Sequence, residues 1–348
     1  MATSRDEEKL SEFFRGVTGS PPSLITPIES HASERRIFRL SSQNASLVGV
    51  LNSNRAENDA FVHLARYFKS VGLPVPEIHL YDAGLGLYIE EDLGEMTLLD
   101  LLQNSRGSSM GPLPQDVRDL YRRSLDLLVE FQIVHREGIP FSGCSNGELF
   151  APHALDADIR RFSEQFLARI LPSFSQDAVQ ADFASLRRAV SEVPHEFFLH
   201  GDFQARNIMV RGDAPFFIDF QGGCRGPLQY DVASLLYQSS ARISASDRAE
   251  LLGHYIERAS GAYPIDASVF RSLMPLFVIT RMLQVLGIYG SEGLAAGKSY
   301  FVQSIPLALG TLMEQLQAEE LTVSLPNLAA CIEAAAQSQP PAQQGPSR

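Results

Sequence analysis

The sequence predicts an α+β protein in two lobes, a small antiparallel sheet with one helix followed by a larger, mainly α-helical region. Three observations predict it. Short β-like runs gather before residue 93, helical periodicity takes over after Gly94, and 348 residues exceed the roughly 100–200 of a usual single domain. The expected division is residues 1–93, residues 94–335 and a tail at 336–348.

The elements follow in order. Arg35–Leu40 (RRIFRL) and Ser46–Leu51 (SLVGVL), joined by a Gln43-Asn44 turn, read as a hairpin. Glu57–Val71 sets Phe61, Leu64, Ala65 and Phe68 at helical spacing and stops at Gly72, before Leu73-Pro74-Val75-Pro76. Ile78–Tyr81 and Leu87–Ile89 flank a Gly84-Leu85-Gly86 turn and read as two more strands. Beyond Gly94, helices are expected over 97–102, 116–134, 158–171 and 182–193, then, after strands near 197–220, further helices to about residue 335. Pro112 and Pro114 break one connection, and the Pro-, Gln- and Ser-rich end predicts a disordered tail.

Composition narrows the function classes. Lys plus Arg total 29 against 41 Asp plus Glu, a net charge of −12, which opposes binding to polyanions and argues against a nucleic-acid partner. The three cysteines, Cys144, Cys224 and Cys331, are far apart and form no C-x-x-C pair, so neither a disulfide framework nor a zinc site is signalled. No uncharged apolar run approaching the roughly 18 residues of a membrane span is evident, and the first ten residues are charged and polar. A cytoplasmic protein that does not meet the membrane is expected.

One stretch carries chemistry. Phe197-Phe198-Leu199 leads into His200-Gly201-Asp202-Phe203-Gln204-Ala205-Arg206-Asn207, then Ile208-Met209-Val210, and after a turn Pro215-Phe216-Phe217-Ile218-Asp219-Phe220-Gln221. Asp202 and Asn207 stand five apart, and Asp219 follows a second apolar strand. A strand pair folding back brings the three oxygen-bearing side chains to one end. One amide and one carboxylate beside a separate carboxylate base suffice for Mg²⁺, which takes few protein ligands and keeps room for water and phosphate oxygens. No H-E-x-x-H, nucleophilic Ser-His-Asp arrangement or aromatic-interleaved basic patch occurs.

These residues resemble the kinase catalytic loop H-x-D-x-x-x-x-N and the metal-binding Asp beyond it. Gly201 and the Asp-Phe-Gln ending resemble the aminoglycoside phosphotransferase branch of the protein-kinase-like superfamily, which implies a bilobal protein-kinase-like fold and the cofactors ATP and Mg²⁺. By that resemblance Asp202 is the base or orienter of the acceptor hydroxyl, Asn207 and Asp219 hold Mg²⁺, and His200 braces the loop. Gly226-Pro227-Leu228-Gln229-Tyr230-Asp231 is similar to the family segment whose Asp supports that loop from a helix start, although Asp231 also reads as an N-cap. Glu91, Asp92 and Leu93 resemble the hinge whose backbone holds adenine.

Ala32–Leu40 and Val285–Tyr289 resemble segments of the bacterial anomeric kinases of N-acetylmuramate and N-acetylglucosamine. The resemblance implies a small-molecule sugar acceptor, with His31, Ala32 and Ser33 as the phosphate-covering turn. One departure stands out: from Leu10 to Phe68 there is no lysine to grip the nucleotide phosphates. Arg36 and Arg39 before the candidate strand and Arg55 after it are the arginines set against that role, Arg36 among the expected nucleotide contacts, with Glu57 as the usual ion-pair partner. Gln204, Arg206, Gln221 and Arg225 flank the presumed site as candidate sugar contacts. Two rival functions stay open: phosphorylation of an aminoglycoside, and a nucleotide-binding pseudokinase that regulates a partner. Against the first, Pro264–Gly310 carries only Asp266 and Glu292 as carboxylates.

Overall fold

The computed structural model describes residues 4–29, 35–106, 111–145, 147–150, 153–171 and 174–338. Its first sheet has five antiparallel strands, β1 (Leu24–Ile28), β2 (Arg36–Ser41), β3 (Ser46–Leu51), β4 (Ile78–Asp82) and β5 (Leu87–Glu91), in the order β1-β2-β3-β5-β4. Register is fixed by alternation, since a slip of one residue would turn every apolar side chain to the wrong face. Phe38 and Leu40 of β2, Leu47 and Leu51 of β3, and Leu87 and Ile89 of β5 all pack with Leu10 and Phe14. Those last two come from α1 (Ser4–Thr18), whose Leu10, Phe13, Phe14 and Val17 recur at helical spacing and close one face of the sheet. Helix α1 and strand β1 both lie outside the elements expected from the sequence.

The opposite face carries Ile37 and Arg39 on β2, Val48 and Val50 on β3, and Tyr88 and Glu90 on β5, in the register Arg39↔Val48↔Glu90 and Ile37↔Val50↔Tyr88. Helix α2 (Arg55–Ser70) is capped by the Asn54 side chain, which accepts from the Glu57 N–H, and buries Phe61, Leu64, Ala65 and Phe68.

Contacts gather the chain into two compact units. The first takes Met1–Asn104, Gln115–Glu148 and His200–Cys224, and the second Ser105–Pro114, Leu149–Leu199 and Arg225–Arg348. The loop at 200–224 groups with the sheet. Aromatic packing and backbone bonds explain this. Phe61 stacks on Phe220 at 4.9 Å between ring centroids and lies 5.4 Å from Tyr88. Phe68 meets Phe131 and Phe220, Phe131 meets Phe217, and Phe217 meets Phe203. The hairpin of β7 (Ile208–Arg211) and β8 (Ala214–Phe217) bridges Met209 to Thr97, and the Phe217 N–H donates to the Pro74 carbonyl. The first unit also holds most of α3 (Leu98–Arg106) and all of α4 (Gln115–Val129), with a π-turn at Glu130–Val134.

The second unit is helical: α5 (His153–Arg161) running on as a π-helical turn at Phe162–Leu167 into the short α6 (Ala168–Ile170), then α7 (Gln176–Ser191), α8 (Leu228–Leu236), α9 (Ala245–Ala262), α10 (Ala267–Ile288), α11 (Ser299–Leu316) and α12 (Pro326–Gln337). Its strand β6 (Phe197–Leu199) pairs with β9 (Cys224–Gly226), not with the strand that follows it. The stretch Ala267–Ala295, interrupted by Arg271, Arg281 and Glu292, is by length and mean hydropathy apolar enough to cross a membrane; 83% of its most apolar window is buried inside the protein, as in a core helix. Helix α12 reaches Gln337, into the expected tail, and residues 339–348 lie outside the described residues.

Candidate functional site

The loop after β6 is built by its own hydrogen bonds. Gly201 turns the chain at φ +84°, a conformation open to glycine and costly for most other residues. His200 Nε2 donates to the Ile218 carbonyl at 3.0 Å, and its Nδ1 accepts from the Asp202 N–H at 3.3 Å. Those partners fix the Nε2–H tautomer and tie the loop to the segment bearing Asp219. A single 3₁₀ turn over Ala205–Asn207 then brings the Asn207 amide nitrogen to the Asp202 carbonyl and to Asp202 Oδ2, both at 2.9 Å. The Gln204 amide donates to Asp202 Oδ1. Both carboxylate oxygens of Asp202 thus accept hydrogen bonds from the loop, which orients the group.

Asp219 joins this loop because the Ile218 N–H donates to the Asn207 carbonyl at 3.1 Å. It adopts φ +66°, and left-handed backbone at a non-glycine residue persists only where the surroundings hold it. Gln221 Nε2 donates to its Oδ1 at 3.1 Å, and Arg35 forms an ion pair with the same oxygen. With the Asn207 amide nitrogen spent on Asp202, its amide oxygen and the Asp219 carboxylate are the hard donors that remain. No group of three His, Cys, Asp or Glu among the described residues forms a closed metal cage. A sparse all-oxygen set fits Mg²⁺, which is held by few protein ligands together with water and phosphate.

The sheet contributes its own charged cluster. The Arg35 side chain is 13% exposed and interacts with Asp219 and with Tyr88. Burial opposes its charge, and these two partners outweigh burial, so the guanidinium is held charged more firmly than usual. Glu90 lies close by with Oε2 buried and without a hydrogen-bond partner. Burial pushes its carboxyl up to about 8, Arg35 pulls it back, and Asp219 and Asp92 push it further up.

The arginines expected at the phosphates are engaged elsewhere. Arg36, expected among the nucleotide contacts, lies on the face with Phe38 and Leu40 and pairs with Asp6 of α1. Arg39 grips Asp92 through Nε at 2.8 Å and Nη2 at 3.2 Å and also bonds the Gly94 carbonyl; Arg55 pairs with Asp59. Glu57 accepts from Asn52 and from none of these cations. Sequence reasoning passed over Arg35 and Glu90, although the alternation of Phe38 and Leu40 sends Arg36 to the α1 face and its neighbour to the other.

The remaining candidates are placed as follows. Glu91 bonds Lys69 at 3.1 Å and Arg211 at 2.7 Å, and Asp92 also accepts from Ser46 at 2.5 Å. Burial raises both carboxyls, and these hydrogen bonds more than reverse it, holding both below the usual range. Leu93 and Asp92 follow the last ladder pair, Leu47↔Glu91. Gln204 and Gln221 bind the site's own aspartates, and Arg206 sits in the 3₁₀ turn Ala205–Asn207. Arg225 belongs to the second unit, where its carbonyl accepts from the Phe150 N–H. Asp231 is fully buried inside the first turn of α8, whose N-cap is Pro227, so the N-cap expectation is corrected. His31, Ala32 and Ser33 lie outside the described residues.

Comparison with known proteins adds to this geometry. The sequence profile of the phosphotransferase enzyme family (APH) matches residues 24–265. An N-acetylmuramate/N-acetylglucosamine kinase of Pseudomonas aeruginosa is 28% identical over 322 residues, 88% of this chain and 90% of that protein. One so named from Neisseria meningitidis serogroup B is 25% identical over 313 residues, 87% and 89% of the two chains. Among solved structures, the amicoumacin kinase hAmiN in complex with AMP-PNP, Ca²⁺ and Ami superposes with a TM-score of 0.63 at 12% identity, covering 93% of this chain and 97% of that one. A choline/ethanolamine kinase family protein from Mesorhizobium loti gives 0.61 at 16% identity, covering 97% and 99%. The five-stranded sheet with a mostly helical remainder is therefore the protein-kinase-like phosphotransferase fold.

Proposed function

This chain belongs to the phosphotransferase enzyme family and is a small-molecule kinase, and we propose that it moves the γ-phosphoryl group of ATP, with Mg²⁺, to a hydroxyl of a small sugar. The acceptor we assign is the anomeric hydroxyl of an N-acetyl amino sugar of the N-acetylmuramate/N-acetylglucosamine type, on the strength of the relatives that match nearly the whole chain. The observation that carries the reading is Asp202, clamped at both oxygens by Gln204 and Asn207 beside Asp219.

Phosphoryl transfer asks chiefly for positioning and charge neutralisation. Asp202 accepts a hydrogen bond from the sugar hydroxyl, aims its oxygen and takes its proton. Asn207 and Asp219 would hold Mg²⁺, which when bound offsets charge on the transferring group. His200, with both ring nitrogens engaged, keeps the loop rigid. The backbone of Glu91, Asp92 and Leu93 holds the adenine, and Arg206 is the remaining candidate sugar contact of this unit.

The two carboxylates of Pro264–Gly310 are committed internally: Asp266 caps α10, accepting from the Ser268 and Val269 N–H groups, and Glu292 binds Lys298 at 2.6 Å. A polycationic acceptor would need free carboxylates there, so a neutral or anionic sugar is favoured over an aminoglycoside.

The test is ADP release over N-acetylmuramate, N-acetylglucosamine, galactose and an aminoglycoside set, with the product assayed for its reducing end. Turnover of an N-acetyl amino sugar with loss of the reducing end is expected. Turnover confined to aminoglycosides, or a product that keeps its reducing end, overturns the acceptor assignment.

A further inference from the structure

The missing lysine leaves the nucleotide phosphates without a partner on the strand where kinases place one. Strand β3 offers Ser46, Val48 and Val50, none of them a cation, to the face it shares with Tyr88 and Glu90. Arg35, the residue just before β2, interacts with Tyr88 and Glu90 of that face and with Asp219. We propose that Arg35 is the phosphate-gripping cation of this chain, parked on Asp219 and handed over to the triphosphate when a cation-bound nucleotide arrives.

The inference rests on the nucleotide reading above and adds to it a residue and an exchange. Arg36, Arg39 and Arg55 are each committed to a carboxylate of the sheet, its following turn or a helix, whereas the partner of Arg35 is the aspartate offered as a metal ligand. A divalent cation on Asp219 satisfies that carboxylate and repels the guanidinium, while phosphate oxygens arriving with it match the planar fork of an arginine.

Glu90 acts as the positioning residue. Its buried Oε2, without a hydrogen-bond partner, offers an acceptor beside Arg35 after Asp219 lets go. Arg35 and Glu90 thereby replace the strand lysine and helix glutamate of ordinary kinases, the latter represented here by Glu57 and bound to Asn52.

Isothermal titration with ATP and with adenosine, each with and without Mg²⁺, tests this on the full chain, comparing wild type with Arg35→Ala, Arg35→Lys and the exposed-site control Arg15→Ala. Arg35→Ala is expected to lose about tenfold or more in ATP affinity, with adenosine affinity unchanged and Arg15→Ala matching wild type. Arg35→Lys, which keeps a point charge without the fork, is expected to lose about threefold or more and decides the matter if circular dichroism shows Arg35→Ala unfolded. ATP affinity equal to wild type, or equal losses for ATP and adenosine, overturns the role of Arg35. A wild-type chain that binds ATP no better than adenosine instead overturns the nucleotide reading itself.

Discussion

At the scale of single residues, the Asn207 amide has two tasks, its nitrogen holding Asp202 and its oxygen left for a cation. Asn207→Ala removes both and should lower kcat by about 10² or more while the protein stays folded, measured by steady-state ADP release beside a melting curve. Asp158 supports a pH prediction. It is buried in α5, 5% exposed, and burial raises its carboxyl to about 7 despite Arg161 and Arg281. The unfolded chain releases that proton near pH 4 and the folded chain keeps it, so the stability from this group is full below about pH 4 and falls as pH rises toward 7. Asp158→Asn should leave Tm unchanged near pH 4 and raise stability at pH 8 by roughly 1–3 kcal/mol, read by thermal melts at the two pH values. Asp202, Asn207 and Asp219 were legible because their spacing within two apolar strands is itself the signal. Arg35 was not, because its role depends on Asp219, 184 residues away.

At the scale of elements, the hairpin β2-β3, helix α2 and strands β4 and β5 followed from alternation, helical spacing and Gly/Pro breakers, with ends displaced by a residue or two. Helix α1 was overlooked although Leu10, Phe13, Phe14 and Val17 form a stripe, since the charged residues between them dominate the composition of the segment. Strand β1 was hidden by Pro27, which sits in the edge strand of the sheet, where proline is tolerated. Gly49 shows how tightly α1 seats: a Cβ there would come within 2.6 Å of Leu10 Cδ2 and 3.0 Å of Leu40 Cδ1. Gly49→Val should therefore cost about 1–3 kcal/mol by overpacking, seen as a lower urea midpoint. A truncation that removes residues 1–18 should cost far more, because it uncovers the apolar face formed by Phe38, Leu40, Leu47, Leu51, Leu87 and Ile89. Recovery of that truncated chain as a folded monomer with the wild-type melting temperature would contradict this packing.

At the scale of the whole molecule, the α+β class and the phosphotransferase family were readable from the loop motif and the segregation of strands from helices. The grouping of residues 200–224 with the sheet was not, because it depends on rings from four separate stretches of chain, Phe61 and Phe68, Phe131, Phe203, and Phe217 and Phe220. The net charge of −12 describes the exterior and leaves the acceptor open, whereas the internal pairing of Asp266 and Glu292 bears on it directly. The central claim is that Asp202 serves the acceptor hydroxyl while neighbouring oxygens serve the nucleotide. Its most direct measurement is the rate of phosphoryl transfer by Asp202→Ala to a sugar the wild type accepts, at saturating ATP, with ATP affinity titrated on the same sample. A fall of about 10²–10⁴ in rate with ATP affinity held is predicted, and transfer at the wild-type rate would contradict the account.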